Sequence, residues 1–187
     1  MTHVTLSNGT QIDLQSPNLD MMTLVTAASS LSKICRYAGN TDGFYSVARH
    51  QYIGAEALYR CGRIKEARAF LVHDLHECII GDVTAPVCEY LGPVMRDLKQ
   101  RLDRLVEIKY GVDLQCFLVK GMDKQMLYYE WRELMPTFPE AEGYDRIDVA
   151  PIDDDLIRTI RAPNRSWRHD RDVWLNLCSA VGLTDEK

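Results

Sequence analysis

The sequence predicts an all-α protein with a small β-hairpin at its N-terminus. Three observations carry this. Apolar residues recur at three- and four-residue intervals over most of the chain. Glycines stand where several of those patterns stop. The one alternating stretch lies near the start and is split by Asn8-Gly9, a strong short-range hairpin signal.

The hairpin comes first, with Val4–Ser7 and Thr10–Leu14 as its arms. Arms this short need the body of the protein to lean on. Pro17 and Asn18 break the chain. A helix is expected over 20–38, where Leu24, Ala28, Leu31, Ile34 and Cys35 share a face and Gly39 is the stop. After a loop at 40–43, further helices are expected over 45–61, ending near Gly62, and 65–80, ending at Gly81. Residues 82–86 read as a connector. Two longer helices follow over 94–110, stopped by Gly111, and 114–135, stopped before Pro136 and Pro139. An irregular stretch at 138–151 and an acidic run at Asp153–Asp155 lead to helical patterns over 153–161 and 170–181.

At 187 residues the chain has the length of one domain, and it should bury roughly 70% of its unfolded surface. The expected division is a hairpin at 1–16, a helical core at 20–135, and an irregular segment with C-terminal helices at 136–187. A net charge of −5 argues against a nucleic acid polymer as partner. No apolar run approaches the ~18 residues that suggest a membrane span. The six cysteines form no C-x-x-C pair, and no secretory segment precedes them. They read as reduced, buried thiols of a cytoplasmic protein.

The informative residues are polar ones on apolar faces. In the second helix Val47, His50, Gly54 and Leu58 share a stripe, so His50 points inward. In the third, His73 and Asp74 stand side by side among Phe70 and Ile80, with Glu77 one turn on. In the helix over 114–135, Asp123 lies in a stripe with Val119, Met126, Leu127 and Glu130. A lone inward histidine is usually a hydrogen-bonded core residue, and a lone aspartate a salt-bridged one. Three helices that each aim imidazole or carboxylate at one interior are different, because bundles build metal sites from facing helices. Two imidazoles and two carboxylates suit one divalent transition metal, Mn, Co, Zn, Fe or Ni.

The order His50, His73-Asp74, Asp123 resembles the metal signature of the HD-domain phosphohydrolase superfamily. The surrounding residues carry the resemblance further: Ser46-Val47-Ala48-Arg49-His50, then Leu71-Val72-His73-Asp74-Leu75-His76-Glu77, then Gly81-Asp82. Over about 20–134 the chain is similar to the 5'-deoxyribonucleotidases of that superfamily and to phage enzymes that remove dATP. The resemblance implies an HD-domain helical bundle in which His50, His73, Asp74 and Asp123 hold the metal. It implies Glu77 as the catalytic acid and Asp82 as a catalytic and substrate-contacting residue near the scissile phosphate. It implies Arg36 on the phosphate and Tyr37 against the sugar. The family commonly has Trp where this chain has Tyr37.

The function so implied is metal-dependent hydrolysis of phosphate from deoxynucleotides, as a 5'-deoxynucleotidase or a deoxynucleoside triphosphohydrolase. A small-molecule nucleotide is the expected partner, with a homo-oligomer as the expected assembly. The alternative is a metal-stabilised nucleotide-binding or sensing protein without turnover, for which Glu77 would have no use. A nuclease is disfavoured by the net charge. His76 reads as a solvated flank residue and Lys124 as solvent-facing. Arg161, Arg165, Arg168 and Arg171 read as a solvated face paired with the acidic run, and Trp131, Leu134 and Met135 as core or interface.

Overall fold

A computed structural model describes residues 2–135, 148–162 and 165–185. The described chain is mostly helical, with one two-stranded antiparallel sheet at its N-terminus. Strands β1 (His3–Thr5) and β2 (Gln11–Asp13) pair with Val4 opposite Ile12. Gly9 turns the hairpin at φ 84°, a conformation that suits glycine. Buried Leu6 and Ile12 seat the hairpin on the body.

Helix α1 (Leu24–Leu31) is shorter than its periodicity predicts. Residues beyond it are drawn into a pairing with the segment before the next helix. Cys35 bridges Ser46, Arg36 N donates to Tyr45 O, and Val47 N donates to Ile34 O. Arg36–Gly39 then forms a single tight turn in which Tyr37 and Ala38 take φ values of 57° and 51°. Such left-handed backbone costs a non-glycine residue roughly 1–2 kcal/mol.

Helix α2 (Val47–Arg60) is capped by Ser46 Oγ, which accepts from Arg49 N. The helix expected over 65–80 divides into α3 (Ile64–Val72) and α4 (Glu77–Ile80). Between them Leu75 N donates to Val72 O and Glu77 N to Asp74 O, bonds of three-residue span that wind the backbone more tightly than an α-helix. Apolar Leu71, Leu75 and Ile79 keep a continuous spacing through this turn, which hides it from periodicity. The connector holds a helix that periodicity does not predict, α5 (Ala85–Leu91), begun with Pro86 in its first turn. It packs on α6 (Pro93–Tyr110). Helices α7 (Phe117–Leu134), α8 (Asp154–Arg161) and α9 (Trp167–Ala180) complete the described chain. Pro136, Pro139 and the irregular stretch up to 147 lie outside the described residues.

Helix α2 is the centre of the molecule, packed against α1, α3, α7, α8 and α9. Gly54 lets α3 come close, because a Cβ there would stand 2.4 Å from Cε1 of Phe70. The polar residues of α2 are buried and paired. Arg49 Nε lies 3.1 Å from Asp170 Oδ2, which also accepts from Ser46 Oγ at 2.8 Å. Trp174 Nε1 donates to Gln51 Oε1 at 2.8 Å. Helix α9 is thereby tied to both flanks of His50.

Some surface expectations change. All six cysteines are free thiols, but only Cys178 is buried; Cys61 is exposed and the others are half-buried. The acidic run pairs with Arg60 and Arg158 rather than with the C-terminal arginines. Arg161 instead meets Glu133, and Arg171 meets Asp172. Among the described residues no helix is long and apolar enough to cross a membrane.

Candidate metal centre

Four side chains from α2, the α3–α4 turn and α7 converge. Nε2 of His50 lies 3.3 Å from Nε2 of His73, 3.3 Å from Oδ1 of Asp123 and 4.0 Å from Oδ2 of Asp74. Nε2 of His73 lies 3.0 Å from Asp74 Oδ2 and 3.6 Å from Asp123 Oδ1. Ligand atoms ~2.0–2.3 Å from one ion are at most ~4.6 Å apart, so every one of these separations fits a shared cation. His50, His73 and Asp74 are buried, while the Asp123 side chain is 42% exposed and forms the open side of the centre.

The outward nitrogens of both imidazoles are already engaged. His73 Nδ1 lies 2.7 Å from Phe70 O, which can only accept. His50 Nδ1 lies 2.5 Å from Glu130 Oε1. Both Nε2 atoms therefore turn their lone pairs into one space, where they repel unless a cation or a proton lies between them. Without an ion the proton sits on His73. Burial opposes its charge, but Asp74 and hydrogen bonds to Asp123 and Asp74 outweigh burial and push its pKa up to about 10. The same contacts with His73 hold Asp74 well below the usual carboxylate range against its own burial. His50, His73 and Asp74, with ligand-type atoms within 4.8 Å of one another, could thus hold a metal ion, with Asp123 at its exposed side.

Phe70 lies under both rings, its centroid 5.4 Å from that of His50 and 4.4 Å from that of His73. The Gly54–Phe70 contact therefore sets the approach of α2 to α3 at the level of the ligands.

Sequence reasoning treats Glu130 only as a position in a stripe. It is fully buried and accepts from four groups: His50 Nδ1, Tyr45 Oη at 2.9 Å, Tyr37 Oη at 2.5 Å and Arg36 Nε at 3.2 Å. Arg36 and His50 hold its carboxyl ionised against the cost of burial. Burial, then the Glu130 charge, pushes both tyrosine hydroxyls well above their ordinary pKa. A carboxylate behind a ligating histidine fixes its tautomer and ring orientation. The available signal was spacing, since Glu130 follows Asp123 by seven residues on the same face.

The remaining candidates are placed as follows. Arg36 Nη1 reaches Asp74 Oδ2 at 3.4 Å, so its guanidinium spans Asp74 and Glu130. Tyr37 turns its hydroxyl to Glu130 and leaves its ring half-buried. Glu77 opens α4 and is buried; burial first, then Asp74 and Asp82, pushes its carboxyl well above the ordinary range. Asp82 is half-buried beyond α4, and its Oδ2 has no hydrogen-bond partner. Lys124 is exposed. His76 departs from expectation: it is 3% exposed, because the tight turn swings it inward. A surface cleft of about 420 Å³, lined by Lys65, Arg68, Val112 and Cys116, includes none of the clustered donors.

No protein-family model matches the chain. It is 29% identical to the uncharacterized protein YfdR of Escherichia coli K12 over 164 residues, covering 81% of this chain and 88% of YfdR. It is 30% identical to an uncharacterized protein of Rhodobacter capsulatus over 154 residues, covering 77% of this chain and 78% of that one.

Proposed function

The chain belongs to the same family as the Rhodobacter capsulatus protein, and from its metal centre we propose a metal-dependent phosphohydrolase of the HD-domain class, acting on deoxynucleotides. One observation carries this reading. A buried carboxyl outside the four-donor set, Glu77, stands one turn beyond Asp74 with its Oε2 unpartnered. A centre that only holds the fold together would gain nothing from it.

When bound, a divalent ion polarises a phosphoryl oxygen and makes a neighbouring water acidic enough to ionise near neutral pH. The chain's own residues do the rest. Buried one turn from Asp74, Glu77 is placed to relay a proton between water and the leaving oxygen, worth roughly 10²–10⁴-fold. Arg36 presents a guanidinium beside the ligands, where a planar fork can grip a phosphate. The free Oδ2 of Asp82 is available to a donor on the substrate near the scissile phosphate. The Tyr37 ring offers an apolar wall to the sugar. The exposed side of Asp123 is where a substrate reaches the centre.

Release of phosphate from a monophosphate and release of tripolyphosphate from a triphosphate use the same residues. A cytoplasmic homo-oligomer remains part of this reading. The test is a screen of deoxy- and ribonucleotides with Mn, Co, Zn, Fe or Ni, reading phosphate, pyrophosphate and tripolyphosphate. Turnover should fall by about 10² or more in Glu77→Gln, with the ion at His50 and His73 retained. Nucleotide binding without release under every metal would replace this reading with that of a sensor.

A further inference from the structure

The basic stretch near the C-terminus does not meet the acidic run. Among the described residues Asp153 pairs with Arg60 and Asp155 with Arg158. Three cations gather instead around one indole at the start of α9. Lys33 Nζ, from just beyond α1, lies over the Trp167 ring at 4.6 Å from its centroid. Arg168 Cζ lies 4.5 Å from the same centroid and Arg171 Cζ 5.6 Å.

A cation is drawn to an aromatic face by the negative charge of the π-system. One such contact would dock the end of α1 on α9. The second and third bring like charges together, and their repulsion offsets part of the attraction. Carboxylates do little to relieve it. Asp172 meets Arg171 alone. Asp170 is buried beneath and is shared by Arg49 and Arg165. Lys33 Nζ donates to Ser29 Oγ, a neutral group. Arg168 has no ion pair or hydrogen bond among the described residues. Lys33 and Arg168 are exposed, and Trp167 and Arg171 are half-buried. The cluster is therefore an unneutralised basic patch open to solvent, on a chain of net charge −5.

The composition points to a kind of partner. Trp and Arg are among the residues that dominate protein interfaces. Arginine clusters take acidic motifs, because their planar forks match carboxylates. Nucleic acid fits less well. A single strand is held by bases stacked on aromatic faces, and here cations lie over the ring.

We propose that Lys33, Trp167, Arg168 and Arg171 form a docking site for an acidic segment of a partner protein, whose carboxylates settle among the three cations. The net negative charge of the chain turns such a segment away from other faces and steers it to this one. The inference does not rest on the nucleotide reading.

The experiment is fluorescence anisotropy of a labelled oligoglutamate peptide titrated with the full chain. The chain is treated with chelator, so that no ion at His50 and His73 can hold the peptide. Wild type should bind at low salt and release the peptide as salt rises. Arg168→Glu and Lys33→Glu should each weaken binding by about tenfold or more. Both side chains are exposed, so the fold tolerates either change. Arg36→Gln, which alters the candidate metal centre, should leave binding unchanged. Absence of binding by wild type would overturn the proposal. So would wild-type affinity in Arg168→Glu and Lys33→Glu. Loss of binding in Arg36→Gln would place the peptide at the metal centre and overturn it too. Tighter binding of an oligothymidylate of the same length would give the patch to nucleic acid instead.

Discussion

Nδ1 of His50 lies 2.5 Å from Oε1 of Glu130, and both side chains are wholly buried. The contact makes a candidate metal ligand depend on Glu130, which lies outside the four clustered donors. Glu130→Gln keeps the shape but removes the charge and offers one acceptor where the carboxylate has two oxygens. Loss of a carboxylate behind a ligating histidine typically costs 10–100-fold in metal affinity or activity. Competition for Mn²⁺ against a chelator of known affinity should show a loss of that size. An unchanged affinity would leave Glu130 as a core hydrogen-bond acceptor only.

A proton and an ion compete for the space between His50 and His73, so the ion-free protein should be sensitive to pH. His73 titrates at about 10 in the fold against about 6.5 unfolded. The folded state therefore binds more protons across that window. Stability contributed by this proton is complete below about pH 6.5 and is lost as pH rises through about 10. Thermal melts with chelator should decline over that range, and melts with saturating Mn²⁺ should decline less, since the ion replaces the proton. Parallel profiles with and without Mn²⁺ would contradict this.

Gly54→Ala drives a methyl into Phe70, which packs against the rings of His50 and His73. Overpacking of this kind costs typically ~1–3 kcal/mol. Because Phe70 must move, the ion should bind more weakly as well. Phe70→Leu makes room, so the double variant should recover part of both losses. Additive losses would mean that the two sites are not coupled.

Tyr37 separates two ways of reading a sugar. If its ring packs against C2', an added hydroxyl loses water without gaining a partner, at roughly 1–3 kcal/mol, or about 5- to 150-fold. Because the Tyr37 hydroxyl is engaged by Glu130, Tyr37→Phe should keep that deoxy preference and Tyr37→Ala should lose it. The measurement is kcat/KM for matched ribo- and deoxyribonucleotides. Loss of preference in Tyr37→Phe would assign the selection to the hydroxyl instead.

Asp170→Asn leaves Arg49 buried without its counter-charge, along with a weakened hold on Ser46. Removing one partner of a buried pair costs about 3–5 kcal/mol. Urea unfolding should show a loss in that range with the slope unchanged. A loss below about 1 kcal/mol, the scale of an exposed pair, would mean that water reaches the arginine.

Much of this was legible in the residues. Asn8-Gly9 signals the hairpin that forms, and Gly111 closes α6 where expected. His50 and the His73-Asp74 pair come together as their apolar neighbours suggest, although 73–76 form a turn and not the predicted helix. What escaped were features set by contacts between distant segments. The pairing of 34–36 with 45–47 ends α1 early, and no local pattern announces it. The tight turn at 73–76 preserves apolar spacing while it rotates His76 inward. Glu130 differs again: its position was visible, but its role depends on where Arg36, Tyr37 and Tyr45 arrive. Helix α5 was hidden because it has no buried face.

The tie between Ser46, Arg49 and Asp170 also bears on the order of assembly in the cell. Domains generally fold as units during synthesis. The helix that carries His50 is made early, yet the residues that clamp its start, Asp170 and Trp174, emerge after α7 and α8. His50, His73, Asp74 and Asp123 are thus all synthesised before the clamp. A domain that folds as a unit therefore waits for α9 before the start of α2 is fully held.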